Sequence, residues 1–141
     1  MIIKKIFLGL ALAGGGLLVG LAAVPSGIAA EKAKAVVQHV DAAGGEKLLA
    51  EKKDVVVLDI RTPKEFASGR IPKAVNLDFY AADFEKKLGQ LERGKAYLVH
   101  CASGGRSGRS LDVFKKLEFP SVYHLDGGFN AWQRAGKAVE R

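Results

Sequence analysis

The sequence has few of the residues from which disulfides and metal sites are built. Its 141 residues include one cysteine, so an internal disulfide is excluded. Its three histidines, His39, His100 and His124, are widely separated along the chain, and this spacing does not indicate a metal site. Internal repeats and low-complexity linkers are also absent, which favours a single small domain.

Acidic residues are in the minority. The chain has 22 lysines and arginines against 15 acidic residues, which gives a formal net charge of +7. The basic residues are scattered, mostly in pairs, and they form no nucleic-acid-binding motif, so nucleic acid is not expected as a partner. Two interpretations of the charge remain open: a solvated surface, or attraction of small anions and acidic partners. We expect a monomer.

Residues 1–30 differ in composition from the rest of the chain. A positive head, MIIKK, precedes the uncharged apolar segment Ile6–Val24, and the first acidic residue is Glu31. This order predicts a signal peptide cleaved after Ala29 or Ala30, with residues 31–141 as a periplasmic or secreted domain that has no stable membrane association. The alternative is an uncleaved membrane anchor, because the apolar segment approaches the ~20 residues that span a bilayer.

Short β-branched runs alternate with helical stretches through the remaining chain. The predicted strands are residues 35–40, 54–60, 74–79, 95–100 and 121–125. The predicted helices are residues 44–53, 62–69, 81–92, 109–117 and 127–136. This alternation predicts an α/β fold, with a central parallel sheet of about five strands and helices on both faces.

The only cysteine, Cys101, lies in the stretch HCASGGRSGRS, directly after a predicted central strand. The next helix is expected to begin between Ser107 and Arg109, which places the thiol in a strand-to-helix turn. Open α/β sheets bind ligands at the carboxyl ends of their strands. The turn is therefore the candidate site.

The turn is suited to stabilise a thiolate. Its small residues allow successive N–H groups to point inward as a nest for an anion, and the following helix adds its positive end. Arg106 adds a fixed positive charge, so the pKa of Cys101 is expected to fall below its free value. The alternative is a buried, inert cysteine that ends a core strand. The candidate loop consists of Ala102, Ser103, Gly104, Gly105, Arg106 and Ser107.

The spacing of the loop distinguishes two chemistries that use such a cysteine. Cysteine phosphatases hold phosphate in a C-x5-R cradle, whereas here Arg106 gives C-x4-R and the sixth residue is Ser107. A shorter loop makes a smaller ring of N–H groups. Such a ring suits the outer sulfur of a cysteine persulfide better than a four-oxygen phosphate.

Three motifs in this order resemble the single-domain rhodanese family of sulfurtransferases, and the similarity extends over residues 35–136. CASGGRS resembles the family's active loop, VLDIRTPKEFASGRIPKAVNLD its D-x-R-x-x-x-E-[FY] segment, and LDGGFNAW its L-x-G-G-x-x-x-W ending. The sequence departs from the family pattern at Arg70, where histidine is common, and at Lys73, where glycine is common. Both departures lie outside the loop.

The resemblance implies a mechanism in which the Cys101 thiolate takes the outer sulfur of a donor such as thiosulfate, and a thiophilic acceptor, cyanide or a thiol, then removes it from the persulfide. The loop N–H groups would stabilise the charged sulfur, and Arg106, with Arg109, would attract the small anionic donor. No cofactor or metal is implied, and 3-mercaptopyruvate remains open as a donor. The alternatives are a non-catalytic rhodanese-like binding or sulfur-carrier module, and a cysteine-dependent phosphatase or arsenate reductase.

Asp59, Arg61 and Glu65 are expected to support the site by forming a salt-bridged network beside the loop, although Arg61 could also clamp substrate. Thr62 and Glu65 have the spacing of a helix capping box, which favours the structural role.

The other marked residues are interpreted as structural. His100 is not expected to act as the base for Cys101, because neighbouring strand residues point to opposite faces. His39 and His124 lie within strand runs and are expected to be satisfied structural histidines. Trp132 is expected to pack the last helix, and the Gly127-Gly128 pair to let the chain pass close to the active loop.

Overall fold

The computed structural model describes residues 35–141, so the predicted signal peptide lies outside the described residues. Strands and helices alternate along this part of the chain. The strands are β1 (Val36–Val40), β2 (Val56–Asp59), β3 (Val75–Asn76), β4 (Tyr97–His100) and β5 (Ser121–Leu125). The helices are α1 (Ala42–Glu51), α2 (Pro63–Ser68), α3 (Phe84–Gly89), α4 (Gly105–Lys116) and α5 (Gly128–Arg134).

The five strands form one parallel sheet in the order β1-β5-β4-β2-β3. This confirms the predicted α/β fold. β4 lies at the centre, and all four of its residues are buried, as expected for a strand covered on both faces. The residue that follows β4 is therefore held at the middle of the carboxyl edge of the sheet.

Helices cover both faces of the sheet, each over its own apolar core. One core contains Phe84 and Leu88 of α3 with Leu111 and Phe114 of α4. The other contains side chains of α1 and α5, including Trp132, which is 3% exposed and donates its indole N–H to the Ala138 carbonyl at 2.8 Å. The packing role predicted for Trp132 is confirmed.

Several predicted boundaries are wrong by a few residues. α4 begins at Gly105 rather than between Ser107 and Arg109, because Gly104 adopts a φ of 103° as its N-cap and the helix starts at once. β3 is two residues long rather than six, since this edge strand pairs with β2 only at Val75 and Asn76. Across residues 35–141, no helix has the length and apolar character needed to cross a membrane.

Candidate active site

Cys101 follows β4 directly and precedes α4, so it lies at the predicted strand-to-helix turn. The residue is 1% exposed. Around it the loop is more open: Ser103 and Gly105 are exposed, and Ala102 and Gly104 are half-buried. The sulfur is therefore covered, while the outer side of its loop faces solvent.

Hydrogen-bond donors surround the sulfur. The backbone N–H of Gly104 donates to Cys101 Sγ at 3.1 Å, and the Ser107 hydroxyl lies 3.4 Å from the same atom. Burial raises the pKa of Cys101, but the Ser107 hydroxyl and the backbone N–H groups of Ser107, Gly104 and Ser103 outweigh it, so the pKa falls below its usual value. The direction agrees with the prediction from the loop sequence.

The start of α5 holds the active loop from behind. The backbone N–H of Phe129 donates to the Cys101 carbonyl at 2.8 Å, and that of Asn130 donates to the Ala102 carbonyl at 2.9 Å. Gly128 makes this approach possible, because a Cβ atom there would lie 2.5 Å from the Cys101 carbonyl oxygen. The close passage predicted for the glycine pair is confirmed. With their carbonyls turned towards α5, the loop peptides can present N–H groups to the sulfur.

Arg106 is engaged by a carboxylate. Its two terminal nitrogens donate to Glu65 Oε2 at 2.9 Å and Oε1 at 2.8 Å. This bidentate pair lowers the pKa of Glu65 to about 2, and Glu65 raises that of Arg106. Glu65 therefore compensates the charge of Arg106, and the expectation that Arg106 attracts a donor stays a prediction.

Asp59 and Arg61 form a buried ion pair beneath the loop. Arg61 Nε lies 2.9 Å and 3.0 Å from the two Asp59 carboxylate oxygens, and a terminal nitrogen donates to the Gly69 carbonyl at 2.7 Å. The guanidinium also lies 4.0 Å from the centroid of the Phe129 ring. These contacts favour the structural role of Arg61 over a substrate clamp. The prediction of one network that includes Glu65 is wrong, because Glu65 pairs with Arg106.

Glu65 also completes the capping box of α2. The Thr62 hydroxyl accepts from the Glu65 backbone N–H at 3.3 Å, and Glu65 Oε2 accepts from the Thr62 backbone N–H at 2.9 Å. The predicted helix start is confirmed.

Arg109 lies exposed on α4, with its guanidinium 5.2 Å from the Phe79 ring centroid. It is therefore placed against an aromatic ring rather than inside the sulfur's shell of donors.

His100 is fully buried at the end of β4. Its Nδ1 lies 3.1 Å from the Cys101 carbonyl oxygen, and its Nε2 has no hydrogen-bond partner. Burial lowers its pKa, which favours the neutral ring. Its ring also stacks over Phe129 at 6.2 Å. These contacts agree with the expectation that His100 is not the base for Cys101.

Sequence reasoning missed a cluster that reaches the active loop. His124 Nε2 lies 2.8 Å from the Ser107 hydroxyl, and its Nδ1 lies 2.8 Å from Asp126 Oδ1. The same carboxylate oxygen lies 2.8 Å from His39 Nδ1. Potential metal-ligand atoms of these three residues lie within 4.8 Å of one another, and each imidazole ring has one nitrogen in hydrogen-bond contact with the carboxylate.

The described residues form a parallel α/β sheet with a cysteine, surrounded by hydrogen-bond donors, in the loop after the central strand. Residues 44–135 match the rhodanese-like domain family. This match extends over more than half of the chain, so the protein belongs to the rhodanese-like domain family.

Curated relatives support a sulfurtransferase-type activity. A sulfurtransferase of Allochromatium vinosum is 31% identical over 104 residues, which are 74% of this chain and 95% of that protein. The thiosulfate sulfurtransferase GlpE of Pseudoalteromonas translucida is 32% identical, over 74% of this chain and 97% of that protein. A tRNA uridine(34) hydroxylase of Pelagibacter ubique is 32% identical, again over 74% of this chain but only 35% of that protein.

A solved structure agrees with the fold. A rhodanese-related protein of Thermoplasma volcanium superposes with a TM-score of 0.65 at 29% identity, over 73% of this chain and 97% of that one. The sheet and its helices therefore have the architecture of a rhodanese-like domain.

Proposed function

We propose that the protein transfers a sulfane sulfur from a small anionic donor, such as thiosulfate, to a thiophilic acceptor through a persulfide on Cys101. The Cys101 thiolate attacks the outer sulfur of thiosulfate, the S–S bond of the donor breaks, and sulfite leaves with the bonding electrons. The acceptor, cyanide in an assay, then attacks the outer sulfur of the persulfide and leaves as thiocyanate. The thiolate is regenerated.

One observation carries this proposal: the sulfur of Cys101 lies among donors that favour its charged form. Gly104 N–H is 3.1 Å away and the Ser107 hydroxyl 3.4 Å away, and the pKa of Cys101 is lowered despite its burial. A thiolate is the form that attacks a sulfane sulfur. The same donors would stabilise the negative charge that each step returns to sulfur.

The position of Arg106 supports sulfur transfer over phosphate ester hydrolysis. A phosphatase needs its loop arginine to bind the phosphate oxygens, whereas here both terminal nitrogens of Arg106 contact Glu65. The absence of a second cysteine in the chain means that the persulfide has to pass its sulfur to an external acceptor.

The test is thiocyanate formation from thiosulfate and cyanide by the full chain, with Cys101→Ser as the matched variant. We expect turnover in the parent and none in the variant. If the protein uses 3-mercaptopyruvate but not thiosulfate, the proposed donor is wrong and the proposed Cys101 persulfide is retained. Hydrolysis of an aryl phosphate that requires Cys101, without sulfur transfer, would contradict the proposal, and so would a stable persulfide that no acceptor discharges.

The sequence pattern of residues 1–30 supports export of this activity to the periplasm or the medium. The mass of the protein recovered from a host's periplasmic fraction is the measurement that tests it. We expect the mass of a chain that begins at Ala30 or Glu31. Retention of the full chain in the membrane fraction would favour the anchored alternative.

A further inference from the structure

A line of hydrogen-bonded side chains joins the buried sulfur to the protein surface. It runs from Cys101 Sγ to Ser107 Oγ at 3.4 Å, and from there to His124 Nε2 at 2.8 Å. It continues from His124 Nδ1 to Asp126 Oδ1 at 2.8 Å, and from that oxygen to His39 Nδ1 at 2.8 Å. The first three residues are buried, whereas the side chains of His39 and Asp126 are 57% and 52% exposed.

The sheet order brings these residues together. β1 pairs with β5 in a register that places His39 opposite His124, so their rings lie on the same face with centroids 5.0 Å apart. The backbone N–H of Asp126 donates to the Val40 carbonyl at 2.8 Å, which fixes its carboxylate between the two rings. Ser107 reaches His124 because α4 begins at Gly105, within the active loop, so that Ser107 lies in the first turn of the helix.

The available protons determine which atom donates and which accepts in each hydrogen bond of this line. The Ser107 hydroxyl has one proton and three acceptors within reach, namely Cys101 Sγ, the Gly104 carbonyl at 3.2 Å and His124 Nε2. The Asp126 carboxylate can only accept, so Nδ1 of His124 carries a proton. In the neutral ring Nε2 is then bare and takes the Ser107 proton, the shortest of the three contacts. Ser107 Oγ is left to accept the S–H of Cys101.

We propose that His124 takes up the proton of Cys101 through Ser107 when the thiol becomes the nucleophile, and that Asp126 holds the resulting imidazolium. The S–H bond breaks, Ser107 Oγ gains that proton, and its own proton passes to His124 Nε2. His124 then donates both ring protons, one to Asp126 and one back to Ser107 Oγ, whose hydroxyl turns to the thiolate. One proton has moved, and no oxidant or reductant is required.

The surroundings of His124 support this role. On β4 its partner is the apolar Val99, and on β1 it is His39. Among the described residues, the titratable groups in contact with the ring are Asp126 and His39, with Cys101 one hydroxyl away. The Ser107 hydroxyl is the largest contribution that lowers the pKa of Cys101. His124 acts through Ser107 and is therefore a positioning residue.

The inference rests on the proposed function, but its test does not require turnover. Because Cys101 is the only cysteine, the ultraviolet absorbance difference between each protein and its Cys101→Ser counterpart reports the ionisation of this thiol alone. Failure of the parent to transfer sulfur would overturn the proposed function and leave this titration readable. Conversely, if the parent transfers sulfur but the variants described next leave the Cys101 titration unchanged, only the proposed proton transfer from Cys101 to His124 is overturned.

The first variants are His124→Gln, which can hydrogen-bond to Ser107 but cannot take a proton, and Ser107→Ala. Each is expected to lower the thiolate-to-thiol ratio at neutral pH about tenfold, equivalent to about 1.4 kcal/mol. The double variant is expected to titrate like either single one. Shifts that add, or variants that titrate like the parent, would overturn the proposal.

The exposed residue Asp126 provides a variant that is safer for folding. Asp126→Asn is expected to raise the pKa of Cys101, whereas Asp112→Asn, which removes the same charge from an exposed site on α4, is expected to leave it unchanged. In sulfur transfer, Asp126→Asn is expected to lose rate at neutral pH and to recover it as the pH rises. A loss that is equal at every pH would indicate a structural role only, and a titration that changes when EDTA is added to the parent would assign the cluster to a metal ion.

Discussion

Gly128, the first residue of α5, is the position at which one added methyl group would disturb the active loop most directly. A Cβ atom there would lie 2.5 Å from the Cys101 carbonyl oxygen and 2.7 Å from that of Ala102. Both contacts are far inside van der Waals separation, and both involve backbone that has no rotamer to change. The residue also has a φ of 58°, in the left-handed region. Gly128→Ala is therefore expected to push the loop and α5 apart.

The expected cost has two parts. A side chain in the left-handed region costs about 1 kcal/mol, and overpacking a close contact costs about 1–3 kcal/mol. Gly128→Ala should therefore lower the free energy of unfolding by about 2–4 kcal/mol. It should also raise the pKa of Cys101, because the carbonyls of Cys101 and Ala102 would lose the N–H groups of Phe129 and Asn130 that orient the loop.

Denaturant unfolding measures the first effect, and the ultraviolet titration of Cys101 measures the second. Gly108→Ala is the matched control, because a Cβ atom at that helical position meets nothing within 4 Å. This control should stabilise the protein by roughly 0.5–1 kcal/mol, as alanine does in a helix, and leave the titration unchanged. If Gly128→Ala unfolds and titrates like the parent, the argument that α5 holds the loop by close contact is refuted.

Two further predictions concern residues outside the sulfur's immediate shell. Lys73 has a φ of 63°, so Lys73→Gly should raise the free energy of unfolding by about 0.5–1 kcal/mol in the same denaturation experiment, and a decrease would contradict this. The pKa of Glu65 is lowered to about 2, first by the hydrogen bond from Arg106, so this carboxylate stabilises the fold fully above the ordinary carboxyl pKa. That contribution to the free energy of unfolding should be lost as the pH falls through about 2. Glu65→Gln should lack this pH-dependent loss of stability. Identical acid-unfolding curves for the parent and Glu65→Gln would contradict a stabilising Glu65–Arg106 pair.

The parts of the site that follow from local sequence could be predicted. Cys101 lies at the sheet edge because a short, largely apolar strand, a glycine-containing turn and a helix follow one another within a few residues. The capping box of Thr62 and Glu65 depends on residues three positions apart. Each of these features depends on short-range geometry that the order of residues specifies.

The partners of the charged side chains could not be predicted in the same way. Arg106 and Glu65 are 41 positions apart. From the sequence alone Glu65 could equally have formed an ion pair with Arg61, because the position of α2 beside the loop is not specified by local spacing. His39 and Asp126 are 87 positions apart and meet only because β1 is the strand that pairs with β5. Sheet order depends on the packing of all five strands. Spacing along the chain therefore carried no signal for this cluster.

In the proposed sulfur transfer, the pairing of Arg106 with Glu65 bears on which part of the loop would select the donor. Its charge still contributes to the field at Cys101, since the thiolate is among the groups that raise the pKa of Arg106, but Glu65 compensates it at 2.8 Å. The uncompensated attraction then comes from backbone N–H groups and from the N-terminus of α4, whose N-cap Gly104 forms no side-chain cap. In the proposed reaction these groups would recognise negative charge on the transferred sulfur, which every sulfane donor and the persulfide share, rather than the anionic head that distinguishes one donor from another.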